Sequence, residues 1–350
     1  MSSDLLPTES IPKTHKALIY SEPGTTATKI IDVETPTPQA GEVLIRLKYS
    51  GVCHTDLSLV TGAMRNMPPT QTGQIGGHEG VGVVVACGPG VTARQIGDHV
   101  GVKWITSACL VCELCLQGDE SRCPERKISG FRGSQGTFQQ YLVSDARYVT
   151  PIARGIVEAN RLPNAAPLLC GGVTVFAALK KADVKPGDWV ALSGGGGGLG
   201  SLAIEYAKAM GFLVLAIDHG SKRDFCLGLG ADAFIDFTAF GDNAALTQEV
   251  KSLTDGGAHA ILVNNSSMTA YDQAIDLLRY GGTLVCVGLP EGETSPLRQA
   301  NPGYLIPNKL TIRGTMVGSR KDAIEALKLL IRGQVNPQVE VRPMNKLTEV

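Results

Sequence analysis

The chain has 350 residues, 43% of them hydrophobic, and 32 Lys and Arg stand against 33 Asp and Glu for a formal net charge of -1. That length exceeds what one core usually organises, so two domains are expected, while the mixed charge leaves no basic face for nucleic acid or a membrane surface. The opening MSSDLLPTESIPKTHK lacks the apolar core of a signal peptide and no later run could span a bilayer, which predicts a cytoplasmic globular protein. In a reducing compartment the 9 cysteines need another explanation than disulfides, and four of them crowd between Cys109 and Cys123.

From Lys16 to about Val149, short apolar runs such as Val43 to Leu47 and Val81 to Val85 alternate with Gly, Pro and Asp turn signals. This half reads as mostly β. From about Pro167 the texture changes. Trp189 to Ser193 reads as a strand, Leu199 to Met210 as a helix and Phe212 to Ile217 as a strand again. Further strands are expected at Ala233 to Ile235, Ala260 to Val263, Thr283 to Val287 and Leu310 to Arg313, with helices such as Tyr271 to Leu278 between them. The alternation predicts an α/β domain, a doubly wound parallel sheet made of two mononucleotide-binding halves.

In the first half, Cys109, Cys112, Cys115 and Cys123 form C-x-x-C-x-x-C-x7-C, the pattern of a closed all-cysteine zinc site. A ferredoxin-type iron–sulfur reading needs a third gap of about three residues, and here seven intervene. The residues between the cysteines, among them Glu113, Asp119 and Glu120, are too polar for a core segment. Two other stretches carry ligand-type residues, Cys53-His54-Thr55-Asp56 and His78-Glu79, which taken singly could equally be packing residues. In the second half the fingerprint G-x-G-x-x-G falls on Gly195, Gly197 and Gly200, with Gly198 and Leu199 inside it, directly after a strand and opening a helix. Its glycines let a pyrophosphate approach the backbone at a helix N-terminus. Asp218 ends the next strand, where a carboxylate accepts from ribose hydroxyls and repels a 2′-phosphate, favouring NAD(H) over NADP; Lys222 and Arg223 just beyond keep the second cofactor in view.

Taken in order, G-V-C-H-T-D, G-G-H-E-G-V-G, G-V-K-W, the four-cysteine lobe, G-T-F-Q-Q-Y and the glycine fingerprint resemble the zinc-dependent medium-chain alcohol dehydrogenases of the fungal, yeast-type branch, from about Lys16 to about Val341. The resemblance implies a GroES-like catalytic domain over 1–166 with the structural-zinc lobe at 109–123, a Rossmann NAD-binding domain over 167–318, and a return to the first domain over 319–350. It implies that Cys53, His78 and Cys170 hold a catalytic zinc with one position open for a small-molecule alcohol or aldehyde, giving two zinc ions per chain. Asp56 would orient His78, Glu79 would lie near the metal, Thr55 would meet the substrate oxygen, and His54 and Arg223 would contact the cofactor. Trp104 and Leu289 fall at positions lining the substrate pocket. A homo-oligomer built by edge pairing near Leu310 to Gly314 is also implied.

The sequence departs from the pattern at two places. Ser58 stands where relatives carry the His that ends a proton relay; serine passes a proton but does not store one near neutral pH, so the pH profile is expected to lack an imidazole step. Relatives also continue past the position of Val350 through a helix and a strand that supplies an Arg to the pyrophosphate, so weaker cofactor binding and an open sheet edge are expected. These departures motivate an alternative, a catalytically silent protein that binds zinc and NAD. The stretch Val60 to Met67 lacks the Trp of ethanol-specialised relatives, which suggests a roomier pocket and a larger substrate, as in a fungal biosynthetic pathway.

Overall fold

A computed structural model describes residues 10–64, 67–291 and 294–349. Arg65 and Asn66, within the stretch on which the roomier pocket rests, lie outside the described residues. The chain forms two compact units, one of residues 1–170, 319–327 and 338–350, the other of 171–318 and 328–337.

The first unit is mostly β. Strands β1 (Thr14–Tyr20) and β2 (Thr28–Glu34) pair antiparallel, with Thr14 opposite Glu34. β3 (Glu42–Ser50), β4 (Gly80–Cys87) and β5 (His99–Val102) are followed by a short pair, β6 (Ile105–Ser107) with β7 (Lys127–Ile128), and by β8 (Tyr141–Asp145) and β9 (Thr150–Pro151). The main antiparallel sheet runs β8-β3-β4-β5-β9. Val43, Ile45, Val84, Val100, Val102 and Leu142 project from it into one shared core, as the period-two pattern of a strand requires.

The second unit is a six-stranded parallel sheet. It comprises β10 (Trp189–Ser193), β11 (Leu213–Asp218), β12 (Ala233–Asp236), β13 (Ala258–Val263), β14 (Leu278–Cys286) and β15 (Thr311–Gly314), in the order β12-β11-β10-β13-β14-β15. Chain direction reverses its spread between β10 and β13, the crevice where such sheets bind dinucleotides. Ala191, Leu215, Ile261, Val263 and Leu284 are fully or nearly fully buried, which is why these strands read as continuous apolar runs and not as alternations. Helices Gly171–Lys181 and Gly198–Ala209 pack on each other against the sheet. The expected helix at Tyr271 to Leu278 is displaced. It spans Met268–Asp276 because the Ser267 hydroxyl accepts the Ala270 N–H and so caps it, and β14 begins at Leu278 almost without a loop. Among the described residues no single helix is long and apolar enough to cross a membrane.

One buried charge in the first unit is unusual. Lys103 follows β5 and is 5% exposed; its Nζ donates to the Tyr148 carbonyl at 2.9 Å and the Thr150 hydroxyl at 2.8 Å, and lies 4.9 Å from the Tyr148 ring centre. Burial pulls its ammonium down to about 7, with Glu120 opposing and Arg320 and Arg94 assisting the fall. Glu120, also buried, accepts from Arg320 Nε at 3.0 Å. From near neutrality to about pH 10.4 the unfolded chain therefore holds a proton that the folded chain has released, so stability rises with pH across that window. Relative to Lys103→Met, the wild type is expected to gain unfolding free energy between about pH 7 and about pH 9. Parallel chemical unfolding of both proteins checks this, and a gap that stays constant over the range contradicts it.

Candidate metal and cofactor sites

The first cluster is assembled around Asp56. Cys53 sits at the N-terminal boundary of the helix His54–Val60, and its N–H donates to Asp56 Oδ2 at 3.0 Å, which fixes the carboxylate over the helix start. The other oxygen, Oδ1, accepts the Gly77 N–H at 3.1 Å and lies 3.2 Å from His78 Nδ1. The pair is almost fully buried, at 7% and 1% side-chain exposure. With Nδ1 so engaged, Nε2 of His78 is buried and has no hydrogen-bond partner among the described residues. An orphaned ring nitrogen in the interior costs about 1–3 kcal/mol unless something binds it.

What surrounds His78 answers that need. The sulfurs of Cys53 and Cys170, a His78 nitrogen and a Glu79 carboxylate oxygen all lie within 4.8 Å of one another, and the two sulfurs are 3.9 Å apart. Two thiolates sharing a tetrahedral zinc at about 2.3 Å each would stand about 3.8 Å apart. The residues present therefore fit zinc. The contact between the two thiols lowers the pKa of Cys53 to about 4 and, with burial, raises that of Cys170, so Cys53 is the first to become the thiolate a metal requires. Burial first, then the charge of Cys53, pushes the Glu79 carboxyl up to about 8. Glu79 reaches this position only because residue 51 has no side chain: a Cβ on Gly51 would lie 1.8 Å from Glu79 Oε2. The Trp104 ring meets the His78 ring edge-on, with centres 5.0 Å apart.

The second cluster is the lobe. The sulfurs of Cys109, Cys112, Cys115 and Cys123 also lie within 4.8 Å of one another, and all four thiols are free. Leu110 adopts a left-handed φ of 65°, and the next turn aims the Cys112 N–H at Cys109 Sγ, 3.3 Å away, while the Cys109 N–H reaches Cys123 Sγ at 3.4 Å. Backbone donors from Val111 and Cys112 bring the Cys109 thiol down to about 7. Val111 and Leu116 are each 76% exposed, so the lobe has little apolar core of its own and its donor set is what an ion would organise.

In the second unit, Gly194 turns the chain out of β10 and Gly197 precedes the helix Gly198–Ala209. A Cβ on Gly200 would sit 2.0 Å from the Gly194 carbonyl oxygen, so the helix packs onto the turn only with glycine there; around Gly198 a Cβ would meet nothing within 4 Å, which leaves the backbone before Leu199 approachable. Gly195 lies against Ala216 on β11. Asp218 Oδ2 accepts the Gly196 N–H at 2.8 Å, tying the acidic residue to the fingerprint loop.

Other expected positions are less concentrated. Thr55 and exposed His54 open the helix beside Cys53. Ser58 is 2% exposed, and its hydroxyl donates to the His54 carbonyl at 3.0 Å. Arg223 is exposed, its guanidinium 5.7 Å from the Phe234 ring centre, and Leu289 is 63% exposed. Gly51 and Lys103 were not singled out from sequence. Gly51 carried a signal, since a glycine beside a ligand-type run marks a close approach; a buried lysine leaves none.

Two family descriptions match the chain, the alcohol dehydrogenase GroES-like domain over residues 39–154 and the zinc-binding dehydrogenase over 198–332. Alcohol dehydrogenase 2 of Emericella nidulans is 47% identical, covering 97% of this chain and 94% of the relative. The alcohol dehydrogenase of Schizosaccharomyces pombe is 42% identical, covering 95% and 92%. Acetophenone reductase from Geotrichum candidum, solved in complex with NAD, superposes with a TM-score of 0.80 at 28% identity over 97% of this chain and 93% of its own. A near-full-length match at that identity, on this fold and around these two cysteine clusters, makes the chain a member of the zinc-binding alcohol dehydrogenase family.

Proposed function

We propose that the protein interconverts a primary or secondary alcohol and its aldehyde or ketone by hydride transfer with NAD(H). The observation that carries the reading is the buried, unpartnered Nε2 of His78 among the sulfurs of Cys53 and Cys170. Cys53, His78 and Cys170 would hold a zinc ion, which when bound would supply Lewis-acid polarisation of the substrate oxygen. A second ion, held by Cys109, Cys112, Cys115 and Cys123, organises the lobe.

The chain's own residues do the rest. Asp56 holds His78 by Nδ1 and so keeps Nε2 facing the sulfurs. Thr55 takes the hydroxyl proton of the alcohol as it gives up its own, and Ser58 relays the displaced proton toward solvent water; the Ser58 hydroxyl must first leave the His54 carbonyl to do so. Glu79 lies buried beside Cys53, His78 and Cys170, seated against Gly51. Gly195 to Gly200 cradle the pyrophosphate, Asp218 accepts from the adenosine ribose, and His54 and Arg223 add cofactor contacts. The solved relative with bound NAD supports this cofactor. We further propose a cytoplasmic homo-oligomer formed at the half-exposed edge strand β15, and a substrate larger than ethanol. The relatives' names favour a working enzyme over a silent one.

Four outcomes are expected. Cys53→Ser leaves one ion per chain and abolishes turnover on a panel of aldehydes, whereas Cys112→Ser loses the other ion and lowers thermal stability; metal analysis with NADH oxidation checks both, and an unaltered metal count in Cys53→Ser contradicts the reading. Asp56→Asn is expected to weaken metal affinity at the Cys53 site by about 10–100-fold while sparing the lobe, measured by chelator competition. Ser58→Ala should slow turnover about tenfold, below the loss typical of a dedicated acid or base; an unchanged rate and pH profile would assign Ser58 to packing alone.

A further inference from the structure

Asp218 at the end of β11 and Asp236 at the end of β12 are register partners on adjacent parallel strands. Two carboxylates therefore stand side by side, on backbones about 4.8 Å apart, at the edge where a doubly wound sheet binds its ligand. They are engaged differently. Asp218 accepts the Gly196 N–H at 2.8 Å through Oδ2 and the His219 N–H at 2.7 Å through Oδ1. Asp236 Oδ1 accepts both the N–H of Thr238, at 2.9 Å, and its hydroxyl, at 2.6 Å.

The second Asp236 oxygen lies over the turn that follows Asp218. A Cβ on Gly220 would be 2.3 Å from Asp236 Oδ2 and 3.1 Å from Cγ. Gly220 has no left-handed φ, so what excludes a side chain there is Asp236 and not the backbone conformation. On its other flank the same turn meets the fingerprint: a Cβ on Gly196 would be 2.7 Å from the Lys222 Cβ. Within it, the Ser221 N–H donates to His219 Nδ1 at 3.2 Å. The turn 218–222 is thus clamped between the glycine loop and Asp236.

We propose that Asp236 is a positioning residue for cofactor recognition, seated on Gly220 so that the 218–222 turn holds the Asp218 carboxylate in its ribose-accepting direction. The inference rests on the nicotinamide reading above. Its physical core is stiffness. Asp236 has a short side chain held by two donors from Thr238, and swinging it away would forfeit both, so added bulk at Gly220 displaces the turn instead. A displaced Gly220 carries the neighbouring His219 N–H with it, and that N–H is one of the two that orient Asp218.

The test is fluorescence titration of the full zinc-loaded chain with NADH, alongside steady-state kinetics in NAD. Gly220→Ala is expected to raise the NADH Kd about tenfold, with KM for NAD rising in step and kcat falling far less. Asp236→Ala alone should also raise the NADH Kd with kcat falling far less, and Asp236→Asn, which keeps the shape and the acceptor for Thr238, should bind NADH more tightly than Asp236→Ala. The double variant Gly220→Ala/Asp236→Ala should lose less than the two single losses combined, because both act through one contact. Wild-type affinity in Gly220→Ala or in Asp236→Ala overturns the inference. A wild-type chain that binds no NADH overturns the nicotinamide reading itself and this inference with it.

Discussion

Everything at the first metal cluster depends on how Asp56 spends its two oxygens. One is taken by the N–H of Cys53 at the start of a helix, the other by Gly77 and His78 Nδ1. That division ties the helix start and the Gly77-His78 segment to one carboxylate and turns His78 so that its remaining nitrogen has no hydrogen-bond partner among the described residues. A buried polar atom left so is expensive in isolation, and the arrangement is stable only as a receptor for something that binds nitrogen and sulfur together. Gly51 gives way to Glu79, and Trp104 lies edge-on to the His78 ring, so the neighbouring side chains are shaped to the same centre.

The lobe solves a different problem. Its exposed Val111 and Leu116 and its polar connecting residues cannot organise a core, so its fold has to come from the four sulfurs and the backbone N–H groups pointed at them. Within it, buried Glu120 accepts from Arg320 Nε at 3.0 Å, a charge-assisted contact that ties the lobe to the chain's later segment where apolar packing is scarce.

Much of this was legible in the chain. The four-cysteine spacing is dense enough to stand on its own, and the glycine fingerprint lies between a strand and a helix with Asp218 ending the next strand, all of which the backbone bears out. The strands of the parallel sheet are legible to within a few residues because burial on both faces makes them uniformly apolar; β14 and its preceding helix begin earlier than periodicity alone places them because the Ser267 cap sets the helix start. Cys53, His78 and Cys170 were a different matter. They are separated by long stretches of sequence, and only resemblance joined them; no spacing rule links residues that meet through the packing of a sheet and a helix start. Asp236 and Gly220 were invisible for the same reason, since strand register is a property of the folded sheet and not of either segment.

The central claim is that this chain carries two chemically distinct ion sites, and zinc X-ray absorption spectroscopy of the purified protein tests it most directly. The account predicts two ions per chain, one surrounded by sulfur alone and one by sulfur and nitrogen together, with the nitrogen contribution vanishing in His78→Ala while the all-sulfur signal persists. A single ion in a purely sulfur environment, unchanged by that substitution, would contradict it.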